Sequence, residues 1–155
     1  MKRIKILPLL LLIFILNVAS TCSNDDDVSS SNQDPTPVIN AASQGTWRIT
    51  LYEDSGNNET ANFAGYNFTF AASNVLTASN GVNTYTGTWS VTNTDVNDDS
   101  SSNDLDFNIA FLSPEMFSNE LTDDWDIQSY SSTKIELVDV SGGNGGTDFL
   151  TFEKN

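Results

Sequence analysis

Apolar side chains recur at every second position through most of the chain after residue 45. Trp47, Ile49 and Leu51 alternate with Arg48, Thr50 and Tyr52, and Tyr66, Phe68 and Phe70 alternate with Asn67 and Thr69. Val75 and Leu76 open a short run that ends at Asn80-Gly81, a tight-turn pair. Tyr85, Gly87, Trp89 and Val91 share one face, opposite Thr86, Thr88 and Ser90; Leu105, Phe107, Ile109 and Phe111 repeat the theme. Shorter echoes follow at Trp125 and Ile127, Ile135 and Leu137, and Leu150 and Phe152. Period-two alternation with polar partners means strands with one face buried and one wet. About eight short strands separated by turn-rich segments predict an all-β sandwich or antiparallel barrel. One short helix is predicted near 114–121, with Ser113 as cap, Pro114 at the first helical position, and Met116, Phe117 and Leu121 on one side. Gly142 to Gly146 reads as a hairpin loop before the last strand.

The first 22 residues follow a different rule. Lys2, Arg3 and Lys5 precede an apolar run from Ile6 to Leu16, too short to span a bilayer comfortably and matched to the apolar core of a signal peptide. Ala19, Ser20 and Thr21 precede Cys22, and Ser23, Asn24 and Asp25 to Asp27 follow it. This segment resembles a lipoprotein signal with a lipobox of the Bacteroidota type. It departs from the usual pattern by carrying Ala19 where Leu is common and Thr21 where Gly, Ala or Ser is common. The resemblance implies removal of residues 1–21, acylation of Cys22 (palmitate among the chains), and anchoring in the outer membrane. Several acyl chains anchor stably where one does not. The run Ser23–Asp27 resembles the acidic signal that sends such lipoproteins to the cell surface. Residues 22–44, rich in Ser, Asp, Asn and Pro, are expected to be a tether with too little apolar surface to fold; its flexible part reaches roughly 25 Å. The folded domain is expected over 45–155.

Charge sharpens this picture. The chain carries 6 basic and 21 acidic residues, a net charge of -15. Removal of Lys2, Arg3 and Lys5 leaves Arg48, Lys134 and Lys154 against all 21 acids, a net charge of -18. Such an acidic surface repels phosphate backbones, so no nucleic-acid partner is expected. It also repels anionic headgroups, so membrane contact is expected through the acyl chains alone. One Cys and no His exclude an internal disulfide, a His/Cys zinc site and any Ser-His-Asp or Cys-His catalytic arrangement.

Gly45-Thr46-Trp47 opens the domain and Gly87-Thr88-Trp89 recurs in its middle. A Gly-x-Trp at the start of the first strand, followed by an eight-strand meander, resembles the lipocalin-like (calycin) family over about residues 45–155. The resemblance implies an up-and-down barrel forming a cup for a small apolar molecule. Lipocalins also set a late Arg against the first-strand Trp; this chain has Lys154 there. Trp47, Tyr66, Phe68, Phe70, Trp89, Phe107 and Phe111 would then line a ligand pocket, or else fill a small barrel solid, since eight strands leave an interior that side chains can close.

Two acidic segments are further candidates. From Asp95 to Asp106, oxygen side chains at Asp95, Asn97, Asp99, Asn103 and Asp106 fall at EF-hand loop spacing, which raises a calcium site. Ser100 stands where that loop wants Gly, Asp106 is shorter than the usual Glu, and a solvated acidic turn fits the segment as well. Asp123, Asp124 and Asp126 surround Trp125, a set that could bind sugar by stacking or could protect a strand edge with charge. No reactive pair is fixed by the sequence, so no enzyme is expected and no cofactor beyond calcium. The expectation is a surface lipoprotein whose lipocalin-like barrel takes a small apolar ligand. The alternatives are a filled-barrel structural or interaction subunit of an outer-membrane assembly, and a glycan-binding module.

Overall fold

A computed structural model of the chain describes residues 33–93, 105–140 and 146–155. The strands are β1 (Trp47–Asp54), β2 (Asn57–Asn58), β3 (Asn67–Ala71), β4 (Val75–Ser79), β5 (Thr84–Thr92), β6 (Asp106–Phe111), β7 (Asp123–Tyr130), β8 (Lys134–Val140) and β9 (Thr147–Lys154). Two short helices accompany them, α1 (Thr36–Ala42) and α2 (Glu115–Glu120). Every pairing is antiparallel between chain neighbours, except that β1 pairs with β3 and β9. The sheet therefore closes on itself as an eight-stranded up-and-down barrel of the lipocalin-like kind, with β2 a small appendage on β1. Closure is uneven. β1 meets β9 along most of its length but meets β3 only at Trp47 opposite Phe68.

The alternation in the sequence decides which side chains enter the barrel. Phe68, Phe70, Leu76, Ala78, Trp89, Val91, Phe107, Ile109, Phe111, Ile135, Leu137, Leu150 and Phe152 all point inward and are buried. β1 breaks the expected rhythm. Its register against β9 shifts between Ile49 and Leu51, so one extra residue is accommodated and the faces exchange. Tyr52 consequently faces inward, 2 % exposed, while Leu51 turns out of the core, the reverse of the simple alternation. In β4 the exposed member is Val75 and the buried ones are Leu76 and Ala78.

Gly87 earns its place sterically. A Cβ there would lie 2.3 Å from the Ala110 carbonyl oxygen and 2.8 Å from the Phe111 ring. Gly45 serves differently. Its φ of +79° turns the chain into β1, a conformation that side-chain-bearing residues avoid.

Both helices close ends of the barrel. The lower end, where β1 starts, receives α1, which corrects the expectation that residues 22–44 are tether throughout. Val38 and Ala42, four residues apart on one helical face, are fully buried, and Ala42 offers its carbonyl to the Trp47 indole N–H at 2.9 Å. That carbonyl is one of the C-terminal groups a helix leaves unpaired, and the Trp47 N–H needs a partner once buried. The upper end receives α2 between β6 and β7, as the sequence predicted. Its start differs in detail. Pro114, and not Ser113, occupies the N-cap position, with no side-chain cap, and its carbonyl accepts the first helical hydrogen bonds from Phe117 and Ser118.

Candidate functional site

The aromatic residues expected to line a ligand pocket come together inside the barrel and touch one another. Phe70 lies with its ring centroid 5.3 Å from each of Trp89, Phe107 and Phe152, edge to face in all three cases. Trp89 stacks on Phe107 at 5.7 Å, and Phe68 meets Phe152 at 5.4 Å. These are the separations at which aromatic rings are in contact, so the space between them is occupied. Trp89 donates its indole N–H to the Ala71 carbonyl at 2.9 Å, which fixes the ring at the lower end of the interior.

Higher in the barrel, Phe117 of α2 is the centre of a second cluster. Its ring lies 5.1 Å from Tyr66, 5.2 Å from Phe111, 5.4 Å from Tyr85, 5.7 Å from Phe63 and 6.0 Å from Phe68. Phe117 is fully buried, as is Leu121 at the end of the helix, whose carbonyl accepts the Trp125 indole N–H at 3.2 Å. The two clusters share Phe68. Six of the seven residues proposed from sequence are thus buried in one hydrophobic core, and Tyr66 sits half-buried at its upper rim.

The upper mouth also gathers carboxylates. Tyr52 donates its hydroxyl to Glu120 at 2.7 Å, tying β1 to α2. Burial, the Glu120 carboxylate, and the nearby charges of Asp54 and Asp148 push the phenol well above its ordinary range. Asp148 accepts the Ser55 backbone N–H at 2.8 Å, which pins the turn after β1 against β9. Asp123 is pushed up to about 6 by partial withdrawal from water, by Asp124 beside it, and by the charge of Asp139. Glu53, Glu59, Glu115 and Asp124 add to the same end of the molecule. The three lysines and arginines that follow Cys22 sit elsewhere, at the lower end. Arg48 pairs with Glu153 at 3.5 Å, Lys134 pairs with Glu136, and Lys154 covers the Trp47 ring.

The other candidates fare unevenly. Asp95, Asn97, Asp99 and Asn103 of the calcium-loop pattern lie outside the described residues, as does Cys22. Asp106 lies at the start of β6, 5 % exposed, and accepts a long hydrogen bond from the Thr92 hydroxyl. Among the described residues no group of three or more acids could hold a metal ion. The sugar-stacking role considered for Trp125 is corrected: its ring is 1 % exposed and points into the core between its acidic neighbours, so it offers no face to a sugar. Two shallow hollows lie on the outside of the barrel. One, of about 540 Å³, is lined by Thr88, Ser90, Asn108, Thr122 and Asp124; the other, of about 270 Å³, lies between Gln33 and β7.

Sequence reasoning missed the part played by α1, Tyr52 and Glu120. The spacing of Val38 and Ala42 was the available signal for α1. The inward turn of Tyr52 depends on a bulge that no alternation pattern reveals.

No protein-family model and no curated protein matches the chain. Among solved structures, the chain is similar to a crystal structure of a DUF4847 family protein from Bacteroides vulgatus, at 18 % identity and a TM-score of 0.48 over 76 % of this chain and 97 % of that one.

Proposed function

We propose that this chain is an exported lipoprotein, acylated on Cys22 and held at the outer-membrane cell surface, whose barrel is a non-enzymatic structural or interaction module. It works through its outer surface and ends, not as a carrier of an apolar ligand. The observation that supports this reading is the continuity of aromatic contacts from Trp89 through Phe70, Phe152 and Phe68 to Phe117, closed below by α1 and above by α2. A carrier needs a cavity of a few hundred Å³ for its cargo. Here the same side chains meet ring to ring.

Titration of the full chain with an apolar fluorescent probe, such as a naphthylamine or an anthroyloxy fatty acid, tests the filled interior. No saturable uptake is expected, and stoichiometric uptake with quenching of the buried tryptophans would return the barrel to the carrier class. Radiolabelled palmitate tests the anchor: the wild-type chain should take up label and a Cys22→Ser chain should not.

A further inference from the structure

We infer that the upper end of the barrel is a docking face for a partner protein segment in which an apolar anchor is flanked by lysine or arginine. The inference rests on the reading of the barrel as an interaction module and names the face it would use.

Two independent features meet at this end. The first is apolar. Leu112, between β6 and α2, is 97 % exposed, and Val82, at the tip of the β4–β5 hairpin, is 90 % exposed. Tyr66 and Tyr85 stand at the same end, half-buried, with rings 6.0 Å apart that both rest against Phe117. Val82 tops the β4–β5 hairpin and Leu112 follows β6, so both stand at the same end of the neighbouring strands β4, β5 and β6. Exposed Leu112 and Val82 beside half-buried Tyr66, Tyr85 and Met116 give this end aromatic and aliphatic groups on a packed base, the residue types that favour an interface centre. Leu112 and Val82 bury almost none of their surface within the fold, so both remain accessible to a partner.

The second feature is charge. On the adjoining side of the same mouth stand Asp54 at the end of β1, Glu120 bonded to Tyr52, Asp123 at the start of β7, and Asp139 opposite Asp148 where β8 meets β9. Beneath the surface, buried Tyr52 meets Phe63 at 5.1 Å and Phe63 meets Phe117 at 5.7 Å, so one packed base underlies both sides. No lysine or arginine of the domain lies at this end, since Arg48, Lys134 and Lys154 all occupy the other. A surface that is apolar on one side and uniformly acidic on the other is complementary to an apolar residue beside cations. Such complementarity sets partner choice and speeds encounter.

The test uses the full chain, a displayed library of random peptides, and two paired variants. Leu112→Ser with Val82→Ser removes the exposed apolar groups. Asp54→Asn with Asp139→Asn removes charge from the mouth. Enriched peptides should carry an apolar residue next to Lys or Arg, bind about tenfold more weakly to either variant, and weaken with salt, whereas Glu153→Gln at the lower end should leave binding unchanged. Unchanged melting temperatures in the Leu112→Ser and Val82→Ser pair show that loss of binding is not loss of fold. The inference is overturned by an absence of enriched peptides, by enrichment without basic residues, by equal affinity for the variants, or by an oligosaccharide array binding at this end in their place. Any of these leaves the filled-barrel reading standing, because that reading fails separately, on uptake of the apolar probe.

Discussion

Lys154, at the end of the last strand, holds its ammonium 4.9 Å above the ring centre of Trp47, at the start of the first. β1 and β9 are paired here, Trp47 directly opposite Lys154, so the contact closes the barrel at its lower end where the chain enters it. The lysine stem also packs against Gly45, with Cδ and Cε 3.6 Å from where a Cβ would stand. A lysine thus fills the place where lipocalins carry arginine. Lys154→Ala should lower stability by about 1 kcal/mol, the size of a partly exposed cation–π contact, and Lys154→Arg should restore it. Thermal melts of the three proteins decide this; identical midpoints for wild type and Lys154→Ala would show that the contact contributes nothing.

Phe117 is the plug at the other end. Truncating it to Ala removes a ring that touches five others and should cost about 3–5 kcal/mol, with Phe117→Leu costing distinctly less. Chemical denaturation measures both. A loss below about 1 kcal/mol would mean that α2 rests on the mouth without closing it.

Asp123 gives the fold a pH dependence of known sign. Its pKa in the folded chain is raised, to about 6 against an ordinary 3.8. The folded state therefore binds more protons than the unfolded state between those two values, and this group's contribution to stability falls as pH rises through that window. Asp123→Asn abolishes the penalty. The variant should be more stable than wild type above pH 6, and the difference should shrink to nothing as pH falls below about 4. Melting temperatures across that range test it, and a constant offset at all pH values would assign the effect to packing instead of ionisation.

Gly87→Ala places a methyl group against backbone and against the Phe111 ring, neither of which is a flexible chain end. A cost of about 1–3 kcal/mol is expected from this overpacking. A urea midpoint unchanged by the substitution would show that β5 and β6 slide apart freely at this point.

Much of the fold was legible because one physical rule, an apolar face every second residue, operates through most of the strands between Tyr66 and Phe152, although the register of β7 against β8 shifts between Ile127 and Ser129. The same rule misplaced Leu51 and Tyr52, since a single inserted residue in β1 reverses every side chain beyond it. It also overlooked α1, where seven residues of modest apolarity form a helix only because the open end of the barrel buries Val38 and Ala42. The candidate site was half legible. Trp47, Phe68, Phe70, Trp89, Phe107 and Phe111 do share the interior, but alternation specifies only that they face inward. Whether inward-facing rings surround a space or fill it depends on centroid distances of 5–6 Å set by strand stagger and by Phe117 arriving from α2. The acidic mouth was hidden for a related reason. Asp54, Glu120, Asp123, Asp139 and Asp148 are scattered in sequence and converge only when the barrel closes.

The central claim is that the interior is occupied by the chain's own rings. A crystal of the protein pressurised with xenon, which enters dry apolar cavities, examines that claim directly. No xenon should bind among Phe70, Trp89 and Phe107 in the wild type, while Phe117→Ala should admit one beneath α2. Well-occupied xenon between Phe70 and Trp89 in the wild type would contradict the filled barrel and restore a pocket at the heart of the fold.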